Sequence, residues 1–201
     1  MLLNFEKTQQ ILKKYKILYA QSRVVKNKKE LLDFAKNTDY PLALKVSNIL
    51  HKTDVGGVIL DIENKKELLE SYKKISKISK EIIVQQMIQG EKIIMGAKID
   101  PVFGPIILFG LGGIFVEILK DVSFRLAPIT KKEAGEMLTE IKGYPILKGA
   151  RGTKEVKINE LEKILLNLSD LIVKEDIKEI DLNPVIVNPE QAIVVDAKIL
   201  I

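Results

Sequence analysis

The chain is poor in residues that carry sulfur and imidazole chemistry: it has no cysteine and one histidine among 201 residues. The lack of cysteine excludes disulfides, thiolate catalysis and thiolate zinc sites, and a single histidine excludes a multi-histidine metal site within this chain. No apolar run reaches the length that spans a bilayer, and the N-terminus lacks the basic and apolar regions of a signal peptide. We therefore expect a protein of the reducing cytoplasm.

Hydrophobic residues make up 46% of the chain, which is enough for a folded core in one domain or two small ones. The net charge of +5 means that nucleic-acid binding has to be considered. The lysines are interspersed with glutamates in predicted helices, however, as in Lys65-Lys66-Glu67, which is typical of a solvated surface. A basic nucleic-acid-binding protein, whose binding would depend steeply on salt, is a less favoured alternative that no motif supports.

Helical and strand-like segments alternate along the chain, with strands grouped as candidate hairpins. This pattern predicts an α+β fold and not a doubly wound parallel sheet. Residues 20–78 are expected to form a compact α+β unit with antiparallel strands, and apolar residues at helical spacing predict a long helix over 158–175. We expect two lobes, 1–84 and 85–201, with a cleft between them.

The only histidine begins the run His51–Val58, His-Lys-Thr-Asp-Val-Gly-Gly-Val. Imidazole is nucleophilic and largely neutral near pH 7. Lys52 can balance charge that arrives on the imidazole, and the pair Gly56-Gly57 lets the loop bend or move. These features suit a histidine that carries a phosphoryl group. The alternative is a surface histidine in a turn before a strand.

The sharpest geometric prediction concerns a C-terminal hairpin with its turn at residues 188–191. If the strands pair about the centre of that turn, Asn183 lies opposite Asp196. Asp181 then lies opposite Lys198 on the same face. An amide oxygen and a carboxylate would lie together, which suits Mg²⁺, since this ion takes few protein ligands and completes its shell with phosphate and water. The alternative is an ordinary polar face of an edge hairpin.

Lys45 lies inside an otherwise apolar strand predicted over residues 42–46. Burial of an ammonium without a partner is costly, and a phosphate oxygen would be a suitable partner. The alternative is a lysine at the strand end that reaches water.

Two further features are candidate anion contacts. The glycine-rich run over residues 109–115, which includes Gly112 and Gly113, fits either a turn or a nest of backbone N–H groups that binds an anion. Arg125 and Arg151 could each hold a phosphate or carboxylate bidentately, or could form structural salt bridges.

Four segments, taken in order, resemble the ATP-grasp β subunit of ADP-forming acetyl-CoA synthetases, a family of nucleoside-diphosphate-forming acyl-CoA ligases. The resemblance covers nearly the whole chain. The segments are His51–Val58; Asp100–Pro105; Phe109–Glu117 continuing to Asp121–Pro128; and Glu179–Pro184 with Val195–Ala197. The resemblance implies an ATP-grasp fold in which two α+β lobes enclose a cleft that binds ATP or ADP with Mg²⁺.

The resemblance also assigns roles in nucleotide binding. Lys45 matches a lysine that contacts the nucleotide phosphates. Gln86, Met87 and Ile88 match a hinge between the lobes whose backbone recognises adenine. The family hinge continues with a glutamate that contacts the ribose, and Glu91 stands one position earlier than that pattern.

The catalytic residues implied by the resemblance include the histidine. His51 matches a histidine that carries phosphate toward the nucleotide. Asn183 and Asp196 match the magnesium ligands, in agreement with the hairpin prediction. With Lys45 and Mg²⁺, Arg125 is a candidate for neutralising charge during phosphoryl transfer.

The implied function is that of the β subunit of an ADP-forming acyl-CoA synthetase. The chain has no room for a CoA-binding domain, so we expect a separate α subunit, which would supply the CoA site and another phosphohistidine, in an α2β2 heterotetramer. Two alternatives remain: another ATP-grasp carboxylate ligase, such as a succinyl-CoA-type synthetase, and a non-catalytic nucleotide-binding subunit that regulates its partner. The acyl substrate and the choice between ADP and GDP cannot be read from this chain.

Overall fold

The computed structural model describes residues 1–47, 56–113, 116, 118–150 and 154–201. The chain forms two compact units, a larger one of Met1–Tyr19 with Gln89–Ile201 and a smaller one of Ala20–Ile88. The expected boundary at residue 84 lies near this division, but the expected N-terminal lobe included the first 19 residues, which belong to the larger unit. The reason is apolar burial, since Leu12 and Ile17 of this segment lie in the larger unit's core.

The smaller unit is an antiparallel sheet with two helices on one face. Apolar side chains that alternate along its strands, among them Leu42, Leu44 and Val84, are fully buried in one core. The strand order is β1-β4-β2-β3. The elements are β1 (Ser22–Val25), α2 (Lys28–Ala35), β2 (Leu42–Val46), β3 (Val58–Ile62), α3 (Lys65–Ile75) and β4 (Ile82–Gln86), after α1 (Phe5–Lys14) of the larger unit.

The larger unit is a longer antiparallel sheet in the order β10-β8-β5-β6-β7, with β9 also paired to β8. Its elements are β5 (Glu91–Asp100), β6 (Gly104–Leu111), β7 (Val122–Leu126), α4 (Lys131–Glu140), α5 (Tyr144–Leu147), α6 (Ile158–Lys174), β8 (Glu179–Val187), β9 (Ala192–Val194) and β10 (Ala197–Leu200). The predicted long helix is α6, and the strand predicted over 192–199 is interrupted at Val195 and Asp196.

Three helices begin with the same N-cap motif, in which a capping side chain is followed three residues later by a glutamate. Asn27 and Asn64 accept hydrogen bonds from the backbone N–H groups of Glu30 and Glu67, at 3.0 Å in both cases. Thr130 forms a complete capping box with Glu133 at the start of α4. Because the first N–H groups of a helix lack partners within it, these side chains fix where α2, α3 and α4 begin.

The two faces of the larger sheet differ. Ile93, Met95, Ile107 and Leu182 point to one face and are fully buried in the core that includes α4 and α6. Alternate residues point to the other face, where the register Lys198–Asp181–Gly96–Leu108–Phe124 forms one row across five strands. We call these the helix face and the open face.

The chain ends lie side by side in the larger unit. Leu2 forms an isolated antiparallel bridge with Leu200. The Leu3 N–H donates to the Ile199 carbonyl at 2.9 Å, and the Ile201 N–H donates to the Met1 carbonyl at 3.0 Å. The first residues therefore continue the sheet beyond β10.

A polar cluster holds α1 to the end of α6. The Tyr15 hydroxyl and the Lys14 ammonium both donate to Glu175 Oε1, each at 2.6 Å. Burial, and then the hydrogen bond to Glu175, raise the pKa of Tyr15 to about 12.

None of the described helices is long and apolar enough to cross a membrane.

Candidate functional site

The C-terminal hairpin has the register that the sequence predicts. Asp181 is paired with Lys198, and the same register continues through Val185 and Val194. Asn183 and Asp196 lie opposite each other, since the Asn183 N–H donates to the Asp196 carbonyl at 3.1 Å. The two expected magnesium ligands thus come from adjacent chain segments.

The side chains around this pair are oxygen-rich and partly accessible. Asn183 is exposed, whereas Asp181 and Asp196 are half-buried. Burial raises the pKa of Asp181, Lys198 opposes that shift, and the negative charge of Asp196 adds to it. Because the two carboxylates repel each other, a cation between them would relieve the repulsion.

The donor set fits Mg²⁺ better than a metal that needs a complete protein cage. Within the described part of the chain, no three His, Cys, Asp or Glu side chains converge on a common point. An amide and a carboxylate are hard oxygen ligands, and Mg²⁺ is commonly held by one or two protein groups with phosphate and water. The residues present are therefore compatible with the expected magnesium site.

In the smaller unit, Lys45 is bound to a buried glutamine. Its Nζ donates to Gln85 Oε1 at 2.6 Å. Lys45 is half-buried, while Gln85 is only 2% exposed. The register pairs Lys45 with Ile83 and Ala43 with Gln85, so the two polar side chains are diagonal neighbours on one sheet face. Lys45 is recognisable from its position in an apolar strand, whereas no local pattern in the sequence reveals the burial of Gln85.

The expected hinge begins at Gln86, the last residue of β4, and two of its three N–H groups are already used within the smaller unit. The Gln86 N–H donates to the Gln21 carbonyl at 2.9 Å, and the Met87 N–H donates to the Pro41 carbonyl at 3.0 Å. Met87 Sδ also accepts from the backbone N–H of Asp61 at 3.0 Å. Adenine recognition through the amides of Gln86 and Met87 is therefore disfavoured.

The residues after the hinge belong to the larger unit. Glu91 opens β5 opposite Val187 and is half-exposed. At Gly90 a Cβ would lie 2.3 Å from the Val187 carbonyl oxygen, so only glycine fits this approach. The Asn188 side chain donates to the Gln89 carbonyl at 3.0 Å and accepts from the next turn through its oxygen. Asn188, which sequence reasoning treated as a turn residue alone, also fixes the first residue of this segment.

The glycine-rich run is only partly free to form an anion nest. The Gly112 N–H donates to the Lys92 carbonyl at 2.7 Å, so this amide is committed to the strand pairing of β5 and β6. Gly113 has a φ of 67°, which favours glycine. This arrangement supports the turn interpretation for Gly112 and leaves Gly113 as the residue through which the run could contact an anion.

Arg125 lies away from the Asn183–Asp196 pair. It is paired with Ile107, which points to the helix face, whereas Asp181 points to the open face. Its guanidinium donates to both carboxylate oxygens of Glu140 on α4, with 3.0 Å between Nη1 and Oε2. These contacts raise the pKa of Arg125 and lower that of Glu140. The structure thus supports the salt-bridge alternative, and it gives no support to a catalytic role for Arg125.

His51, the expected phosphate carrier, and Arg151 lie outside the described residues. Both stay predictions from the sequence.

A family model described as an ATP-grasp domain matches residues 1–201, the full length of the chain. This match agrees with the two α+β units described above. The chain is an ATP-grasp protein.

One relative narrows the assignment. The β subunit of ADP-forming acetate–CoA ligase I from Pyrococcus furiosus is 43% identical over 205 residues, which cover 96% of this chain and 88% of the relative. At this identity and coverage, the chain belongs to the family of ADP-forming acetate–CoA ligase β subunits. The resemblance inferred from the sequence, and the fold class with it, are confirmed.

Solved structures of a second relative agree. Acetyl-coenzyme A synthetase 1 of Ca. Korarchaeum cryptofilum, in complex with coenzyme A, Ca-AMPCP and HgCl⁺, matches with a TM-score of 0.94 at 35% identity, covering 100% of this chain and 93% of that one. A complex of the same enzyme with coenzyme A and Mg-AMPPCP matches with a TM-score of 0.87 at 36% identity, covering 99% and 92%. In that complex a phosphohistidine segment points towards the nucleotide binding site.

Proposed function

We propose that this chain is the nucleotide-binding β subunit of an ADP-forming acyl-CoA synthetase. It would act with a separate CoA-binding α subunit in an α2β2 heterotetramer in the cytoplasm, and the complex would convert acyl-CoA, ADP and phosphate reversibly into acid, CoA and ATP. Family membership supports the activity, and the opposed pair Asn183 and Asp196 is the observation that carries the proposal to this chain's own residues.

In the proposed reaction, His51 receives a phosphoryl group from a phosphohistidine of the α subunit. A β-phosphate oxygen of ADP then attacks the phosphorus atom, the N–P bond to His51 breaks as the new O–P bond forms, and ATP leaves with His51 regenerated. A phosphoramidate suits this shuttle because its bond is reactive in both directions. Such in-line transfers depend mainly on positioning and on neutralising charge.

The residues of this chain divide that work. Lys45 donates to a phosphate oxygen of the nucleotide, and Ile88 with the hinge carbonyls contacts the adenine. Asn183 and Asp196 hold Mg²⁺, which neutralises phosphate charge when it is bound. Glu91, the first residue of β5, contacts the ribose, and Gly113 is the residue of the glycine-rich run that approaches an anion.

The test uses the fact that His51 is the only histidine of the chain. The purified chain, with and without the α subunit, is incubated with Mg·ATP labelled at the γ-phosphate. We expect a label that is acid-labile and base-stable, that appears on the wild type and is absent from His51→Ala. Thr53→Val serves as a matched control in the same segment and should retain the label.

The outcomes separate the alternatives. A label that requires the α subunit would support the shuttle and place its productive state in the complex. No label under either condition, together with normal Mg·ADP binding, would overturn the shuttle and favour the regulatory-subunit alternative.

A further inference from the structure

Gln85 carries a buried hydrogen-bond donor that the fold leaves without a partner. Gln85 Nε2 and Thr38 Oγ1 are the two buried side-chain atoms that lack a hydrogen-bond partner among the described residues. A buried polar group without a partner is costly, and native structures contain few of them. Such a group next to a proposed binding site indicates that a ligand supplies the missing acceptor.

The orientation of the Gln85 amide follows from its neighbour. The Lys45 ammonium can only donate hydrogen bonds, so the oxygen of the Gln85 amide must face it, as the distance of 2.6 Å requires. A flipped amide would set a donor against a donor. The nitrogen therefore points away from Lys45 with two N–H groups, and it can be satisfied only by an acceptor.

Lys45 and Gln85 also lie on a surface of the smaller unit that could bind a ligand. Leu42, Leu44 and Val84 point from the same strands into the core under α2 and α3. Lys45 and Gln85 are displaced by one residue from that pattern, so they lie on the face that these helices do not cover. The half-buried Lys45 ammonium presents hydrogen-bond donors on this face, which suits a phosphate oxygen, and the amide nitrogen of Gln85 lies buried beside it.

We propose that Gln85 is a nucleotide-binding residue with two roles: its Oε1 orients the Lys45 ammonium, and its Nε2 donates to a phosphate oxygen of the bound nucleotide. This inference rests on the nucleotide-binding function proposed above. It adds to that function a buried neutral donor beside the lysine, which recognises an acceptor regardless of pH because an amide does not titrate.

Two substitutions separate the roles. Gln85→Glu keeps an oxygen for Lys45 but replaces the N–H donor by an acceptor, whereas Gln85→Met fills a similar volume and removes both groups. We expect each variant to bind Mg·ADP about tenfold more weakly or worse, as for a lost hydrogen bond to a charged group. Binding is measured by titration calorimetry on the intact chain. Thr38→Val, which removes the other unpartnered buried atom, is the matched control and should bind within twofold of wild type.

Melting temperatures exclude a trivial loss of folding. Thr38→Val removes an unpartnered buried polar atom, so we expect it to melt at or above the wild-type temperature. Gln85→Met removes one as well, but it also removes the acceptor of Lys45, so we expect it to melt near the wild-type temperature. The proposal is supported if Gln85→Met binds Mg·ADP weakly while its melting temperature stays close to that of the wild type. If it melts lower, Gln85→Glu decides, because weaker binding by a normally melting Gln85→Glu supports the donor role and normal binding overturns it.

The acceptor is identified with Mg·7-deaza-ADP, which lacks the N7 acceptor of adenine and keeps both phosphates. We expect the wild type to bind it like Mg·ADP, and the Gln85 variants to lose affinity for both ligands equally. A loss seen with Mg·ADP and absent with the deaza analogue would overturn the phosphate assignment in favour of the base. If the wild type itself fails to bind Mg·ADP, the proposed function fails; if it binds and both variants match it, only the role of Gln85 is wrong.

Discussion

In the larger unit, β8 and β7 each carry polar side chains, but they present them to opposite faces of the same sheet. Asp181 and Asn183 of β8 point to the open face, beside Asp196. Ser123 and Arg125 of β7 point to the helix face, where both contact Glu140 of α4.

We propose that this difference separates groups that bind ligands from groups that hold the fold. On the helix face, the charge of Arg125 is neutralised by a neighbouring carboxylate, and Ser123 completes that carboxylate's hydrogen bonds at 2.7 Å. On the open face, two carboxylates lie close enough for one to raise the pKa of the other. The polar groups of the helix face satisfy one another and are structural. On the open face, Lys198 and Asp196 shift the pKa of Asp181 in opposite directions, and we propose that a bound cation adds to the effect of Lys198.

The largest effect is expected on the open face. Asp196→Ala should reduce ATP synthesis by the reconstituted complex by about 10³-fold, because charge stabilisation by a metal ion is worth several kcal/mol. The melting temperature should change little, since Asp196 is only half-buried. Steady-state kinetics and thermal melting check this, with Glu190→Gln in the hairpin turn as the control. Full activity of Asp196→Ala would break the distinction between the two faces.

An intermediate effect is expected on the helix face. Arg125→Ala should lower the free energy of unfolding by about 1–3 kcal/mol, because Glu140 and Ser123 lose a charged partner. Binding of Mg·ADP should stay within twofold of wild type. Denaturant unfolding of Arg125→Ala, Glu140→Ala and the double variant tests the pair, and we expect the double variant to lose less than the sum of the two. If Arg125→Ala is as stable as the wild type but turns over poorly, the prediction is wrong and Arg125 has a catalytic role.

The smallest effect is the pH dependence of that ion pair. The hydrogen bonds from Arg125 and Ser123 hold the pKa of Glu140 below its ordinary value of 4.5. A lowered pKa in the folded state means that the stabilisation is fully present above the ordinary pKa and is lost as pH falls through the folded value. Wild type should exceed Glu140→Gln in unfolding free energy by about 1 kcal/mol near pH 7, a modest value because Glu140 is half-exposed.

The difference in unfolding free energy between the wild type and Glu140→Gln should decrease in acid, and denaturant unfolding between pH 7 and pH 3 measures it. Glu136→Gln is the control, because Glu136 lies 3.8 Å from the Arg125 guanidinium and forms the longer of the two ion pairs. Its margin over the same pH range should be smaller. A margin for Glu140→Gln that does not change with pH would mean that the ion pair contributes nothing to stability.

The sequence predicts the open face better than the helix face, and the reason lies in the strand patterns. In β8 the apolar residues Ile180 and Leu182 are buried, so alternation correctly places Asp181 and Asn183 on the opposite side. In β7 the pattern is inverted, since Phe124 is 53% and Leu126 is 55% exposed while Ser123 is buried. Alternation alone would direct Arg125 outward, and only the position of Glu140 on α4 shows that it points inward.

Other features also needed tertiary information. Strand β2 was predicted with its observed ends, whereas β1 was missed because its four residues show no clear alternation, with Val25 alone buried. Gln85 has an apolar sequence on one side and a second glutamine on the other, and nothing local distinguishes the two. Its burial and its contact with Lys45 arise from pairing between β4 and β2.

The neighbouring chain ends have a consequence for how this fold can be rearranged. Because Met1 and Ile201 are hydrogen-bonded across adjacent strands, a short linker could join them without disturbing the sheet. New ends could then be opened at the exposed turn around Val102, which is 79% exposed and lies between β5 and β6. The contacts that define the larger unit therefore do not depend on the order of its elements along the chain. A circularly permuted chain should reach the same fold.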